Sequence, residues 1–395
     1  MAFYIQHGHG KSDKVDEALE SGTASGVIFG ARNEKEANVE KCIACVRERN
    51  GAVLFDPQFH VSALVPANDR FLPEYPYYKV GRTVSDFVGI KRLAGYAKTT
   101  LDYELSLSPD RLLSPTVIFD SFEGKWCQIA LNLADASLDY HAGLKGAPPL
   151  LLSFVIGEQA LESRSELDSF LDQLTSWDAL TGAYLVISRE DSSYSQKFNA
   201  ERLTNALYMN YVLGNINGLE ITNGFSDFCG LLYRAVGSST FATGWSQGLR
   251  QFHKRSFTKQ KPGGQPPLLR YTSGPLLNSI LLSELQQIFE NGNIEDVLSN
   301  VPLDTVITEA GSPDDSDWNA RTSELHHWET LAGFDSLVGH DVKKNITNLE
   351  KRISAAEDLY LALENDGVIF SVKSRSEHLE QWSEALQAFR EVASL

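Results

Sequence analysis

Leu150-Leu-Leu-Ser-Phe-Val-Ile156 is an apolar run with a single hydroxyl, and it opens directly into the polar Gly157-Glu158-Gln159. A strand with no alternation between apolar and polar residues is one buried on both faces, which is the condition of a parallel sheet covered by helices. Downstream, Glu166 to Trp177 has helical spacing, and Ala183-Tyr-Leu-Val-Ile187 then opens into Ser188-Arg189-Glu190. Working outward, the same rhythm holds at Phe3–Ile5, Gly26–Gly30, Ala52–Phe55, Thr116–Phe119, Leu219–Thr222 and Ser239–Thr243. Strands alternating with helices pair in parallel through crossovers. Eight such units in about 250 residues read as a closed (β/α)8 TIM-like barrel of the α/β class.

Helical stretches are expected at Asp13–Glu20, Asn38–Arg49, Trp126–Tyr140 and Asn199–Leu213, and from Ser226–Asp227 to Val236. Asn33 is placed to cap the second of them. Residues 61–82 form an insertion rich in Pro and Tyr, read as an ordered lid or partner surface, with a helix starting near Thr83. The barrel is assigned to residues 1–258 and a Gly/Pro linker to 259–272. A mostly helical C-terminal region then covers 273–395, with helices at Leu276–Glu290, Trp318–Leu331, Val342–Leu363 and Glu377–Ala393. Heptad-like spacing of Ile346, Leu349, Ile353, Ala356 and Leu359 predicts that the third of these packs in a helical hairpin or bundle.

With 395 residues, 42% hydrophobic and 22% charged, the chain can bury a large core without staples. No apolar run reaches the roughly 20 residues a membrane span needs, and the start lacks a signal peptide's basic and apolar blocks, so a cytoplasmic protein with no membrane role is expected. Four cysteines fit a reducing compartment, and Cys42-Ile-Ala-Cys45 lies one turn apart inside a helical pattern with no second pair to complete a zinc site. A net charge of −17 argues against nucleic-acid binding by the whole surface. It leaves a local basic stretch, Arg250, Lys254, Arg255, Lys259, Lys261 and Arg270, either to contact nucleic acid or to dock on the acidic remainder of the chain.

Barrels of this type gather chemistry just past the strands. That places Gln6, His7, His9, Arg32, Asp56, His60, Asp120, Glu123, Glu158, Gln159, Arg189, Glu190, Asp191, Asn223, Thr243, Gly244 and Trp245 around one mouth. Asp56, Asp120 and Glu158 are the candidate catalytic carboxylates, for acid/base or nucleophilic work. His7, His9, Arg32, His60, Gln159, Arg189, Glu190, Asn223, Gly244 and Trp245 are candidates for holding a substrate. The glycines in Asn223-Gly224 and Gly244-Trp-Ser-Gln-Gly248 stand where such barrels often bind phosphate. His7-Gly-His9 has the spacing of a metal-hydrolase motif, but no matching histidines follow the later strands, so neither a metal nor a cofactor is assigned.

The order of segments from Ala52 to His253 resembles that of the tRNA-guanine transglycosylases and their DNA-modifying relatives. Val53-Leu-Phe-Asp56 is similar to that family's strand with its first essential aspartate, and Thr116-Val-Ile-Phe-Asp120 to the strand whose aspartate grips the base. Leu151–Gln159 resembles the strand with its substrate turn, and Asn223–Phe228 with Thr240–Thr243 the last two units. The sequence departs from the family at Pro57-Gln-Phe59, where a glycine-rich turn belongs, and in having no cysteine beyond Cys229 for its zinc cluster. The resemblance implies a transferase or hydrolase acting on a nucleobase- or nucleotide-like substrate, with Asp56 and Asp120 as the acids. The alternative is a non-catalytic barrel that serves as a binding or assembly subunit, with its mouth plugged by Pro66–Tyr78 and its C-terminal helices meeting a protein partner.

Overall fold

The computed structural model describes residues 3–9, 13–190, 196–259 and 267–395. Its main sheet has the strands β1 (Phe3–Gln6), β2 (Gly26–Gly30), β3 (Ala52–Asp56), β4 (Leu112–Leu113), β5 (Ile118–Phe119), β6 (Leu150–Gly157), β7 (Gly182–Ser188), β8 (Glu220–Gly224) and β9 (Thr240–Thr243). They run in the order β3-β2-β1-β9-β8-β7-β6-β4, every pairing parallel, with β5 also on β6. A bridge between Leu54 and Arg111 brings β3 to the start of β4 and nearly closes the ring. β4 and β5 therefore share one strand position, and the chain folds as an eight-position (β/α) barrel.

Both β6 and β7 are buried along their whole length, as their unbroken apolar character requires. At the end where the strands begin, Arg111 reaches Glu220 on β8 at 2.9 Å and, with Tyr4, fills the floor. The helices Lys14–Glu20, Glu36–Arg47, Ile90–Ser106, Lys125–Ala142, Arg164–Thr175, Ala200–Asn210 and Cys229–Val236 surround the strands. Gly237, at φ 136°, ends the last of these in a conformation that side-chain-bearing residues rarely adopt.

Two caps differ from expectation. The helix after β2 starts at Glu36 with Lys35 as N-cap, because the Asn33 amide donates to the His7 carbonyl instead. Ser226 and Asp227 precede the helix at Cys229 but do not cap it: Ser226 donates to the carbonyls of Asn223 and Gly224, and Asp227 binds His327.

In the C-terminal region, β10 (Arg270–Ser273) and β11 (Asn278–Leu281) form an antiparallel hairpin. Helix was expected from Leu276, but it begins only at Leu282, because residues 278–281 are spent on pairing with β10. The helices Ala320–Asp335, Val342–Asn365 and Glu377–Ala393 follow. Ile346, Ile353 and Ala356 are buried and Leu349 and Leu359 partly so, as the heptad spacing predicts.

Polar contacts fasten this region to the barrel. Asp227 accepts from His327 at 2.8 Å, Arg234 from the barrel meets Asp335 at 2.7 Å, and the Trp382 indole donates to the Gln196 carbonyl at 3.0 Å. Lys14, stacked over Trp245 at 4.4 Å, pairs with Glu324. Among the described residues no helix is long and apolar enough to cross a membrane.

Candidate functional site

The three predicted carboxylates sit in three different environments. Asp56, the last residue of β3, points into the barrel and is almost fully buried. One oxygen accepts from the Gln58 N–H at 2.9 Å and the other from the Tyr184 hydroxyl of β7 at 3.4 Å, with Gln6 of β1 beside that hydroxyl. Burial pushes the Asp56 carboxyl up to about 7, against the opposing pull of the Gln58 and Tyr184 hydrogen bonds. Gln58 takes a left-handed turn (φ 49°), and its side-chain oxygen accepts from the Arg32 N–H.

Glu158 and Arg189 form a buried ion pair at 2.6 Å, each side chain 7% exposed, with the guanidinium 3.7 Å over Phe198. Arg202 extends the network to Glu158, Glu162 and Glu190, and Gln159 donates to Glu190. Asp120, just past β5, lies beside Gly157, 48% exposed and paired with Lys254 at 3.1 Å. The carboxylates were expected to converge; each instead serves its own polar network, because Glu158 is held by two arginines and Asp56 lies below the rim.

Several predicted binding residues are structural. Asn223 donates to Asn210 and Ser238, toward the surrounding helices. Gly244 packs so tightly that an added Cβ would lie 2.4 Å from Leu249 and 2.6 Å from the Gln6 carbonyl. His7 is enclosed between Phe29 and Trp245. His60 is buried edge-on to Phe252 and Phe257, and burial lowers it to about 3, so it is neutral at ordinary pH.

Those aromatic rings belong to a cover over the mouth. One strand of it is residues 64–70 from the insertion after β3; the other is residues 252–259, after β9. Ala67 bridges Thr258, the Asn68 N–H donates to the Phe257 carbonyl at 2.8 Å, and the Lys259 N–H donates to the Pro66 carbonyl at 3.1 Å. Phe225, Phe252, Phe257 and His60 close the axis beneath. Further along the insertion, Tyr75 and Tyr77 are buried and donate to the Glu34 and Pro57 carbonyls. The insertion thus lies against the barrel along residues 64–77.

Beside the cover, at the ends of β1, β2, β8 and β9, a recess of about 370 Å³ opens to solvent. His9, Arg32, Asn33 and Arg70 line its polar side; Phe225, Trp245, Leu249 and Phe257 line its apolar side. No aspartate or glutamate is among its lining residues, in a chain of net charge −17. Arg32 donates through Nε to the Asn68 carbonyl at 2.6 Å and through Nη2 to the Ser256 carbonyl at 3.1 Å, and lies over Phe257 at 4.8 Å. Burial and the neighbouring charge of Arg70 lower Arg32 to about 10. Among the described residues Arg70 has no hydrogen-bond or ion-pair partner. Of the predicted residues His9, Arg32 and Trp245 meet here, close to the glycine-containing loop where an anion was expected.

Sequence reading missed Arg70 and Tyr184. Arg70 is the basic residue of the Asn68-Asp-Arg70 triplet inside an otherwise Pro/Tyr-rich insertion, and that polarity is its signal. Tyr184 sits in a strand buried on both faces, where no alternation shows which residues point inward.

The basic stretch does not form one face. Arg250 is partly buried and donates to the Gly244 carbonyl, Arg270 binds the Ser279 carbonyl and Ser374, and Lys254 pairs with Asp120. Lys261 lies outside the described residues, as does Asp191. Cys42 and Cys45 are not disulfide-bonded, and among the described residues no group of three or more potential metal ligands gathers.

The chain matches no family model and no curated protein. A solved structure of a variant of the carboxyl transferase domain of Rhizobium etli pyruvate carboxylase, with pyruvate, is similar at 10% identity and a TM-score of 0.35. The comparison covers 100% of this chain and 62% of that one, so the chain spans less than two thirds of its length.

Proposed function

We propose that this barrel binds a small ligand with an anionic end and a flat apolar body, the class to which nucleotides belong, in the recess beside its covered mouth. The observation that carries the reading is the meeting of Arg32 and Arg70 in an open recess whose lining contains no acid. Two like charges brought together raise each other's cost unless an anion offsets them. Guanidinium groups suit phosphate and carboxylate because their N–H donors match two oxygens at once. Phe225, Trp245, Leu249 and Phe257 supply the apolar wall for the rest of the molecule.

A second reading, a barrel enzyme of transferase or hydrolase type, is favoured by one observation. Asp56 contacts Tyr184 beneath a cover made of two separate segments, and its burial there pushes the carboxyl up to about 7. Asp56 would then exchange a proton with a substrate admitted under the cover. A transglycosylase-like exchange using both Asp56 and Asp120 would require Asp120 to leave Lys254 and turn inward.

The test is thermal stabilisation of the full chain by adenosine monophosphate, phenyl phosphate, inorganic phosphate, benzoate and adenosine. The reading expects the two organic phosphates to raise Tm most, and Arg70→Ala to abolish the gain. Equal stabilisation by adenosine and adenosine monophosphate would contradict it.

A further inference from the structure

The recess is built at a seam. Arg32, Asn33, His9 and Trp245 come from the ends of β1, β2 and β9, whereas Arg70 comes from one strand of the cover and Ser256 and Phe257 from the other. Arg32 reaches across to both cover strands: its Nε and Nη2 are spent on the carbonyls of Asn68 and Ser256, while the second strand is also tied to the end of β7, where Phe252 bridges Ser188 and accepts from the Arg189 N–H. Its Nη1 makes no hydrogen bond among the described residues. Closing the cover therefore does two opposed things. It completes the Arg32 hydrogen bonds and the short ladder between residues 66–68 and 257–259, and it brings the Arg70 charge toward that of Arg32. Asp69, which also faces Arg32 and takes a hydrogen bond from Tyr78, offsets this only in part, since Arg70 has the larger effect on Arg32.

We propose that the recess ligand is the lock of this cover: its anionic end bridges Arg32 on the barrel and Arg70 on the cover, so binding holds the mouth shut. This rests on reading the recess as an anion site. Without the anion, the Arg32–Arg70 repulsion works against the Arg32 hydrogen bonds and the ladder; with it, the charge contribution across the seam turns attractive. A ligand bound equally well by open and closed forms could not do this, and the placement of its two cationic contacts on opposite sides of the seam supplies the difference. Opening uncovers His60 and the Asp56–Tyr184 pair; closing seals them from water.

Two backbone amides report the ladder directly: Asn68, which donates to Phe257, and Lys259, which donates to Pro66. The experiment is residue-resolved amide hydrogen exchange on the full chain, with phenyl phosphate as the probe and calorimetry run beside it to establish binding. In the parent, saturating phenyl phosphate slows exchange at these two amides about tenfold, beyond any change at amides of β6 and β7. In the free protein, Arg70→Ala slows the same two amides by up to about fivefold, because an exposed like charge is removed. In that variant, added phenyl phosphate produces little further slowing. Calorimetric binding without protection at Asn68 and Lys259, or protection spread evenly over the barrel, overturns the lock while leaving the recess as a binding site. Absence of calorimetric binding overturns the recess reading itself. Arg70 is exposed and without a partner among the described residues, so its replacement leaves the fold intact.

Discussion

The hydroxyl of Tyr184 on β7 lies 3.4 Å from Oδ2 of Asp56 on β3, so a carboxyl that burial holds near neutral pH is tied across the barrel interior rather than offered to solvent. The folded state prefers this carboxyl protonated, whereas the unfolded chain ionises it near pH 4. Stability from this group is therefore present at low pH and lost as pH rises from about 4 through about 7. Asp56→Asn, which cannot ionise, should be more stable than the parent at pH 8, with the difference shrinking toward pH 4. Chemical denaturation at several pH values measures it, and a difference independent of pH would show that Asp56 keeps an ordinary pKa.

The buried histidines act in the opposite direction. His60, His327 and His378 are lowered by burial to about 3, 4 and 4. The unfolded chain binds their protons below about 6.5 and the folded chain does not, so stability falls as pH drops from 6.5 toward 4. His253 and His326 are lowered as well, and Asp227 and Asp304 are held below the usual carboxylate range; together these outweigh Asp56 and Glu104, whose raised carboxyls act in the opposite direction. Calorimetric Tm should fall steadily between pH 6.5 and 4.5, and a flat profile over that range would mean these rings are protonated in the fold.

Glu158 and Arg189 are both nearly inaccessible; removing Glu158 leaves the buried Arg189 without a carboxylate partner among the described residues, whereas removing Arg189 leaves Glu158 with Arg202. Glu158→Gln should cost about 3–5 kcal/mol and Arg189→Met less, with the Glu158→Gln/Arg189→Met double variant recovering much of the first loss. The two single losses adding up in the double variant would show that the pair does not act as a unit.

Two glycines near the mouth should respond differently to alanine. At Gly224 a Cβ would lie 2.3 Å from the Tyr184 oxygen, and that ring is fully buried with nowhere to move. At Gly157 the nearest atoms are the ends of the Asp120 and Gln159 side chains, and Asp120 is half exposed. Gly224→Ala should lose about 1–3 kcal/mol, and Gly157→Ala should be close to neutral. Equal losses in urea titrations would contradict this.

Eight strand positions were legible because each is a short apolar run closed by polar or glycine residues, and the barrel they form is the one observed. Their order along the chain also fixed which end carries the mouth. What lies in the mouth was less legible, because facing depends on strand parity and on loops that fold back. Glu158 reads as an acid facing a ligand, but its partner Arg189 comes from the next strand's end and neutralises it. Asn223 reads as a mouth residue, but it turns outward to Asn210 and Ser238. Arg70 becomes a site residue only because the insertion folds over the end of β2, a placement set by the Arg32 bonds and the ladder to residues 257–259, which no local pattern records. The hairpin of β10 and β11 was hidden for a similar reason: residues 276–281 continue smoothly into a helical pattern, and pairing with β10 overrides it.

An anion between Arg32 and Arg70 is the central element of the proposed site. Isothermal titration of adenosine monophosphate into the parent and into Arg70→Ala, at low and at moderate salt, tests it most directly. The account predicts binding to the parent that weakens with salt, and a loss of roughly tenfold to a hundredfold in the variant, the worth of one charge-assisted contact. Equal affinity in the two proteins, with no dependence on salt, would show that the recess does not hold an anion.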